Sequence, residues 1–388
     1  MQKGEMQKLE LETVLVLQGG GSLGAYECGV YKSLHKNDIK FDVLAGSSIG
    51  AINTSIICAA QNAGKDVPAI LEEFWLSLSE DIMPYGSTSV LPLPYLSSDK
   101  MRAIWSSMYS VLYGNPKAFM PKWLMPLSSD YLLPYAWTFL YDANPLKKTL
   151  RKYIDFEGLK KINGKSNNND NKGKSRLIIT STDIQKGEPV IFDNAYMDID
   201  ETMIVAAAGY PFYGLKWTKR EGRYLWDGSL LTNTPMMEVI RASPLINKKL
   251  YIVDVFPRQQ KEIPENMVEV WHRARDIIFM DKTDKNIEML KISEKYLNLL
   301  KKMFEIVYSD DAKIDNHTIE KLRELDPEYN ALTQKHGAAI TDVIRIGRKE
   351  DELRYIFEDA DFSTYRIKKL IAEGEKDTNH VISKERKS

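Results

Sequence analysis

Cysteine is nearly absent: Cys28 and Cys58 are the only two in 388 residues, and each lies in a stretch with helical spacing. A disulfide framework and a cysteine-based zinc site are therefore both excluded. Net charge is also lacking, at −1, which removes any global attraction to nucleic acid. No apolar run approaches the length that crosses a membrane. Residues 1–12 are charged and lack the apolar core of a secretory signal. The expectation is a cytoplasmic protein, with export by a route that reads no N-terminal signal left open. Histidine is scarce. His35, His272, His317, His336 and His380 lie on charged, helical or tail-like stretches with no motif beside them, and each reads as a surface or helix-end residue rather than a base. No group of acidic or histidine residues has metal-ligand spacing, so neither a metal nor a cofactor is expected.

The composition is otherwise that of a folded chain. With 43% hydrophobic and 28% charged residues, it has the makings of one large domain with appendages, or of two domains around a sizeable core.

Residues 41–53, Phe-Asp-Val-Leu-Ala-Gly-Ser-Ser-Ile-Gly-Ala-Ile-Asn, read as strand, sharp turn and helix, the helix running over Ile49 to Asn62. Gly46, Ser48 and Gly50 spell the G-x-S-x-G of a nucleophile elbow, where a serine at a strained turn is pushed out of the sheet. The glycines have a steric task, because side chains there would collide with the doubling backbone. By itself the motif is also compatible with a bland loop.

Upstream, Thr13–Leu17 is a buried strand running into Gly19-Gly20-Gly21-Ser22-Leu23-Gly24. A helix follows over Leu23–Leu34. Backbone N–H groups of such a loop can cradle a nucleotide phosphate or the oxyanion of an acyl-transfer intermediate. The P-loop lysine is missing. A Gly-x-Gly-x-x-Gly pattern threads Gly19, Gly21 and Gly24, but a serine motif follows where a ribose-binding acid belongs, which favours the oxyanion. Much later, Arg223 to Leu230 reads as a short strand ending at Asp227-Gly228, a carboxylate at a strand end facing a cleft or simply a common turn.

Together, the Gly19-Gly20-Gly21 loop, Gly46-x-Ser48-x-Gly50 and the late Asp227-Gly228 resemble the patatin-like phospholipase family in order and spacing. The resemblance covers about Val14 to Phe256. It includes Leu140-Tyr141-Asp142-x-x-Pro145-Leu146 with Asp155-Phe156, the hairpin from Leu177 to Phe192, and Asn233-x-Pro235. It implies an α/β fold, three-layer α/β/α with a mixed central sheet, and a Ser-Asp dyad that hydrolyses lipid acyl esters without histidine. Ser48 would be the nucleophile and Asp227 the base. Gly19, Gly20 and Gly21 would form the oxyanion loop, supported by Gly24, Gly46, Gly50 and Gly228. Three positions depart from the family pattern: Leu23 stands where Arg or Lys is frequent, Ser229 replaces a second glycine, and Ala206-Ala207-Ala208-Gly209-Tyr210-Pro211 replaces an Ala-Ser-x-x-x-Pro segment.

The remaining chain reads as appendages. Residues 1–12 form a tail, 13–260 the catalytic domain, 261–375 a C-terminal helical extension similar to that of a bacterial branch of the family, and 376–388 a frayed tail. An aromatic-rich insertion spans about 85–141. There Lys117 and Lys122, among Phe119, Met120 and Trp123, fit either a lipid interface or a packed lid. Residues 163–174 read as a disordered loop. Helical patterns cover 267–281, 285–307 and 317–335. The middle one carries a stripe of Leu290, Ile292, Tyr296, Leu297, Leu300, Met303 and Phe304 suited to core or dimer packing. A strand over 341–346 and a last helix, capped at 360–363 and ending near Gly374, complete the chain. The expected partner is a phospholipid or other lipid ester, with peripheral membrane contact and a homo-oligomer both open and no nucleic acid. Competing readings are an acyltransferase using the same acyl-enzyme, or a catalytically quiet lipid-binding scaffold.

Overall fold

Strand β1 (Leu11–Leu17) sends its side chains into two cores at once. Val14 and Val16 enter one, and Leu15 and Leu17 the other. The same division recurs where Val43 and Ala45 oppose Leu44, and where Leu250 and Ile252 oppose Tyr251 and Val253. A sheet buried on both faces needs such unbroken apolar strands. The computed structural model describes residues 11–79, 99–124, 137–162, 173–280, 283–308, 323–336, 339–349 and 357–386, with Glu320 and Tyr355. The loop expected at 163–174 lies mostly outside these residues.

After β1 come helix α1 (Gly24–Lys36), β2 (Val43–Gly46), α2 (Ile49–Asn62) and α3 (Val67–Ser79). The insertion supplies α4 (Asp99–Tyr113) and the short pair β3 (Met120–Pro121) and β4 (Tyr141–Asp142), and α5 (Asn144–Tyr153) follows. Then come the hairpin β5 (Arg176–Asp183) and β6 (Glu188–Asp193), α6 (Glu201–Ala207), β7 (Thr218–Arg220), β8 (Arg223–Asp227), α7 (Met236–Ala242) and β9 (Asn247–Asp254). The C-terminal part holds α8 (Met267–Phe279), α9 (Thr283–Val307), α10 (Asp326–His336), β10 (Ile340–Gly347) and α11 (Thr364–Glu385). No helix among the described residues is long and apolar enough to cross a membrane.

The main sheet runs β10–β9–β1–β2–β5–β8–β7, with β6 also paired to β5. The first five strands are parallel, while β6 and β8 run against β5. Helices cover both faces: α1, α2, α3, α5, α6 and α11 feed the larger core, and α7 with Ile287 and Leu290 of α9 covers the other. The fold is thus a mixed α/β sheet between helical layers, as expected.

One register detail places the site. Strands β2 and β8 share an edge of β5, β2 pairing with residues 176–179 and β8 with 181–183, so Gly46 opposite Ile179 and Asp227 opposite Ser181 end close together. The other edge of β5 is taken by β6.

Three expectations need correction. Gly374 does not stop the last helix, which continues to Glu385, so residues 376–385 are no frayed tail. Its lack of a side chain serves a close crossing instead: a Cβ at Gly374 would strike the Tyr26 carbonyl, and one at Gly29 the Ile371 carbonyl. The pattern at 317–335 is not one continuous helix: Glu320 and Arg323 are helical, a turn follows at 324–325, and a helix resumes from Asp326 to His336. Only the N-terminal part of the α9 stripe reaches the core, whereas Tyr296 and Met303 are more than half exposed. Of the two readings open for Lys122, the packed one holds: it is buried, its ammonium against the rings of Trp137 and Phe139.

Candidate active site

Ser48 forms the N-cap of α2 at φ 53°, ψ −125°, a left-handed backbone that costs a non-glycine residue about 1–3 kcal/mol. The surroundings enforce it. Ser48 N–H donates to the Ala207 carbonyl at 3.1 Å, and its own carbonyl accepts from Ala51 N–H at 3.0 Å. A Cβ at Gly46 would collide with the Gly50 carbonyl, and one at Gly50 with the Leu17 carbonyl. Ser47 turns inward instead, fully buried, with its hydroxyl 3.3 Å from that of Thr180.

Asp227 ends β8 and is fully buried. Its Oδ1 accepts from Ser229 N–H at 2.8 Å, and its carbonyl accepts from Thr182 Oγ1 at 2.9 Å. Burial pushes its carboxyl up to about 6, against the opposing pull of the Ser48 hydroxyl beside it and of Ser229. Among the described residues, Oδ2 makes no standard hydrogen bond. A carboxylate oxygen thus stands unmet next to a serine hydroxyl, and such contacts commonly tighten only when substrate binds. Gly228 opens the short turn after it, packed on Thr180 where a side chain would not fit.

The glycine loop is divided in its duties. Gly19 N–H is already engaged, donating to Asn233 Oδ1 at 3.0 Å, so the expectation that Gly19 supplies an oxyanion donor is corrected. Its missing side chain matters more: a Cβ there would lie 2.7 Å from Ser48 Cβ. The amides of Gly20 and Gly21 make no hydrogen bond within the described residues, and both glycines line the same cavity as Ser48. Gly21 has φ +58° and backs onto the Asp359 carbonyl, while Gly24 opens α1 against Ile49.

That cavity, about 330 Å³, is largely apolar, walled by Ile52, Phe74, Leu78, Phe119, Leu146 and Phe256 among others. Among the described residues, no histidine lines it. His35 and His380 are exposed on helices, the His336 side chain and His317 are not among the described features, and His272 is buried. The last overturns the surface reading. Burial and the neighbouring Arg275 hold His272 below the usual imidazole range, beside Glu358 and Asp359. No group of three or more His, Cys, Asp or Glu among the described residues could hold a metal ion.

Residues 15–240 match the family described as Patatin-like phospholipase. The chain belongs to this family. A second match, described as Patatin phospholipase, spans residues 277–388, so the patatin-like chain carries family sequence in its C-terminal part as well. Over 59 residues it is 39% identical to triacylglycerol lipase 5 of Saccharomyces cerevisiae, a stretch that is 15% of this chain and 8% of the lipase. The match therefore spans only a small part of that relative's length. Among solved structures, VipD from Legionella pneumophila is similar at 12% identity and TM-score 0.37, over 96% of this chain and 67% of VipD. The type III effector protein ExoU is similar at 14% identity and TM-score 0.31, over 97% of this chain and 53% of ExoU.

Motif reading missed what the extension brings to this patatin-like site. Phe279, Phe357, Asp359, Ala360 and Phe362 all line the cavity. The strap at 357–362 is anchored by a buried charge cluster: Arg275 Nη2 lies 3.0 Å from Glu358 Oε1, Arg348 3.5 Å, and Arg275 Nη1 3.5 Å from Asp359. The Tyr213 hydroxyl donates to Asp359, and Ser22 Oγ donates to the Glu358 carbonyl at 3.1 Å. Residues 360–363 had been legible only as a helix cap, which Ser363 indeed provides.

Proposed function

We propose that this chain is a serine acyl hydrolase that cleaves fatty-acyl esters of phospholipids or lysophospholipids. One observation carries the reading: Ser48, on a strained elbow at the wall of an apolar cavity, beside the buried and partly unpartnered carboxylate of Asp227. Asp227 accepts the Ser48 hydroxyl proton as Oγ attacks the ester carbonyl. The oxyanion meets the Gly20 and Gly21 N–H groups, and the cavity holds the acyl chain. Asp227 returns the proton to the departing alcohol or lysolipid, leaving an acyl-serine. Water then attacks that ester, its proton passing to Asp227 and back to Ser48 as the fatty acid leaves. A base with a pKa of about 6 is weak for a serine hydroxyl. The oxyanion donors must supply much of the rate, and each typically contributes ~10²–10³.

The test is product analysis with mixed phospholipids and lysophospholipids, with and without an alcohol acceptor. Free fatty acid plus lysolipid, lost in Ser48→Ala and Asp227→Asn, supports hydrolysis. Acyl transfer to the alcohol at the expense of free acid would favour a transferase, and no acyl product at all would favour a scaffold.

A further inference from the structure

Helix α4 buries three serines and leaves large apolar side chains outside. Ser106, Ser107 and Ser110 are buried, while Trp105, Met108, Leu112 and Tyr113 are 45%, 43%, 52% and 52% exposed. A helix seated by apolar burial does the reverse. Ser107 Oγ donates to the Ile104 carbonyl at 2.9 Å, but among the described residues the buried hydroxyls of Ser106 and Ser110 have no hydrogen-bond partner. The inward face sets these serines beside Ala103 and the partly buried Tyr109 and Val111, while the larger apolar side chains Trp105, Met108 and Leu112 are left on the outward face.

The location of the helix says what its outward face meets. Val111 lines the cavity beside Ser48, and its carbonyl accepts from the Tyr141 hydroxyl at 2.6 Å. Trp123 Nε1 donates to the Leu112 carbonyl at 2.9 Å, which brings Leu124, half exposed, to the same surface. Leu140 and Phe212 line the cavity and are themselves 44% and 80% exposed. The apolar wall of the cavity therefore continues outward at its rim, on the side where α4 packs.

We infer that the outward face of α4, with Leu124, Leu140 and Phe212, is a docking surface for a lipid bilayer. Indole and phenol rings with aliphatic neighbours are the side chains that settle at a membrane interface. A bilayer also delivers a long-chain ester through the surface it occupies, whereas a second protein copy seated there would obstruct the mouth. The inference rests on the lipid-ester reading of the cavity.

The test uses the full chain and vesicles of phosphatidylcholine, alone and mixed with phosphatidylglycerol. Trp105→Ser/Met108→Ser/Leu112→Ser changes only exposed positions of α4. It should bind vesicles at least about tenfold more weakly than wild type and hydrolyse vesicle lipid correspondingly slowly, with unchanged turnover of a water-soluble short-chain ester. Brominated acyl chains should quench wild-type fluorescence, and Trp105→Phe should lose most of that quenching. Equal vesicle affinity in wild type and triple variant would overturn the inference. So would a wild-type dimer that the triple variant splits without changing vesicle affinity. Vesicle binding that depends on α4 in a protein inactive on both substrates would sustain the docking surface and overturn the hydrolase reading instead.

Discussion

Asn233 grips the Gly19 peptide at both ends. Its Oδ1 accepts from Gly19 N–H at 3.0 Å, and its Nδ2 lies 3.4 Å from the Gly19 carbonyl while donating to the Phe279 carbonyl at 3.0 Å. One side chain thereby ties the glycine loop, the segment after Asp227 and the end of α8 together. Asn233→Ala leaves buried backbone groups unmet, at about 1–3 kcal/mol each, and releases the loop. Steady-state kinetics should show kcat reduced about tenfold or more with KM little changed, alongside a lower Tm.

Asp227 is held near pH 6 by burial, against an ordinary value of 3.8. Turnover should rise with pH through about 6 and then level, because the proposed base must be ionised to act. The stability effect has the opposite sense. The folded state holds the proton more tightly than the unfolded one, so the cost of the buried charge grows as pH rises from about 4 to 6. Asp227→Asn removes that charge, and denaturant unfolding at pH 8 should show a gain of about 2–3 kcal/mol in an inactive protein. Below pH 4 the gain should vanish.

The two free amides of the glycine loop sit in different surroundings. A Cβ at Gly20 would press on a Val255 methyl, a movable group, whereas Gly21 has φ +58° and faces the Asp359 backbone. Gly20→Ala combined with Val255→Ala should keep turnover within a few fold. Gly21→Ala should lose ~10²–10³ in kcat, with substrate affinity nearly unchanged because the ground-state carbonyl uses the hole weakly.

Local sterics made the elbow legible. Gly46-x-Ser48-x-Gly50 encodes a turn that side chains would block, and the paired faces of β1, β2 and β9 follow from apolar runs. Relations across the chain were not legible. The grip of Asn233 on Gly19 spans 214 residues, and nothing local to either residue announces it. The shared edge of β5 that brings Gly46 and Asp227 together is a property of register. Gly374 misled because a glycine at a helix crossing and a glycine at a helix end look alike in one sequence. His272 and the strap at 357–362 were obscured by a charged, helical stretch whose charges are partly buried against one another.

Burial disfavours the Glu358 carboxylate, but Arg348, Arg275 and Arg366 outweigh it and hold the group down to about 2. Its contribution to stability is therefore complete above about pH 4.5 and should be lost as pH falls toward 2. Glu358→Ala leaves buried guanidinium groups short of a partner and should destabilise by about 3–5 kcal/mol at neutral pH. Thermal unfolding across pH should show a smaller difference between variant and wild type as acid protonates the wild-type group.

The acyl-enzyme is the most direct test. After exposure to a fluorophosphonate or to a slowly turned-over lipid ester, peptide mass spectrometry should find one adduct, on Ser48. Ser47→Ala should retain it, and Ser48→Ala should abolish it. An adduct that persists on another residue in Ser48→Ala would contradict the assignment of Ser48 as nucleophile, and with it the Ser48–Asp227 mechanism.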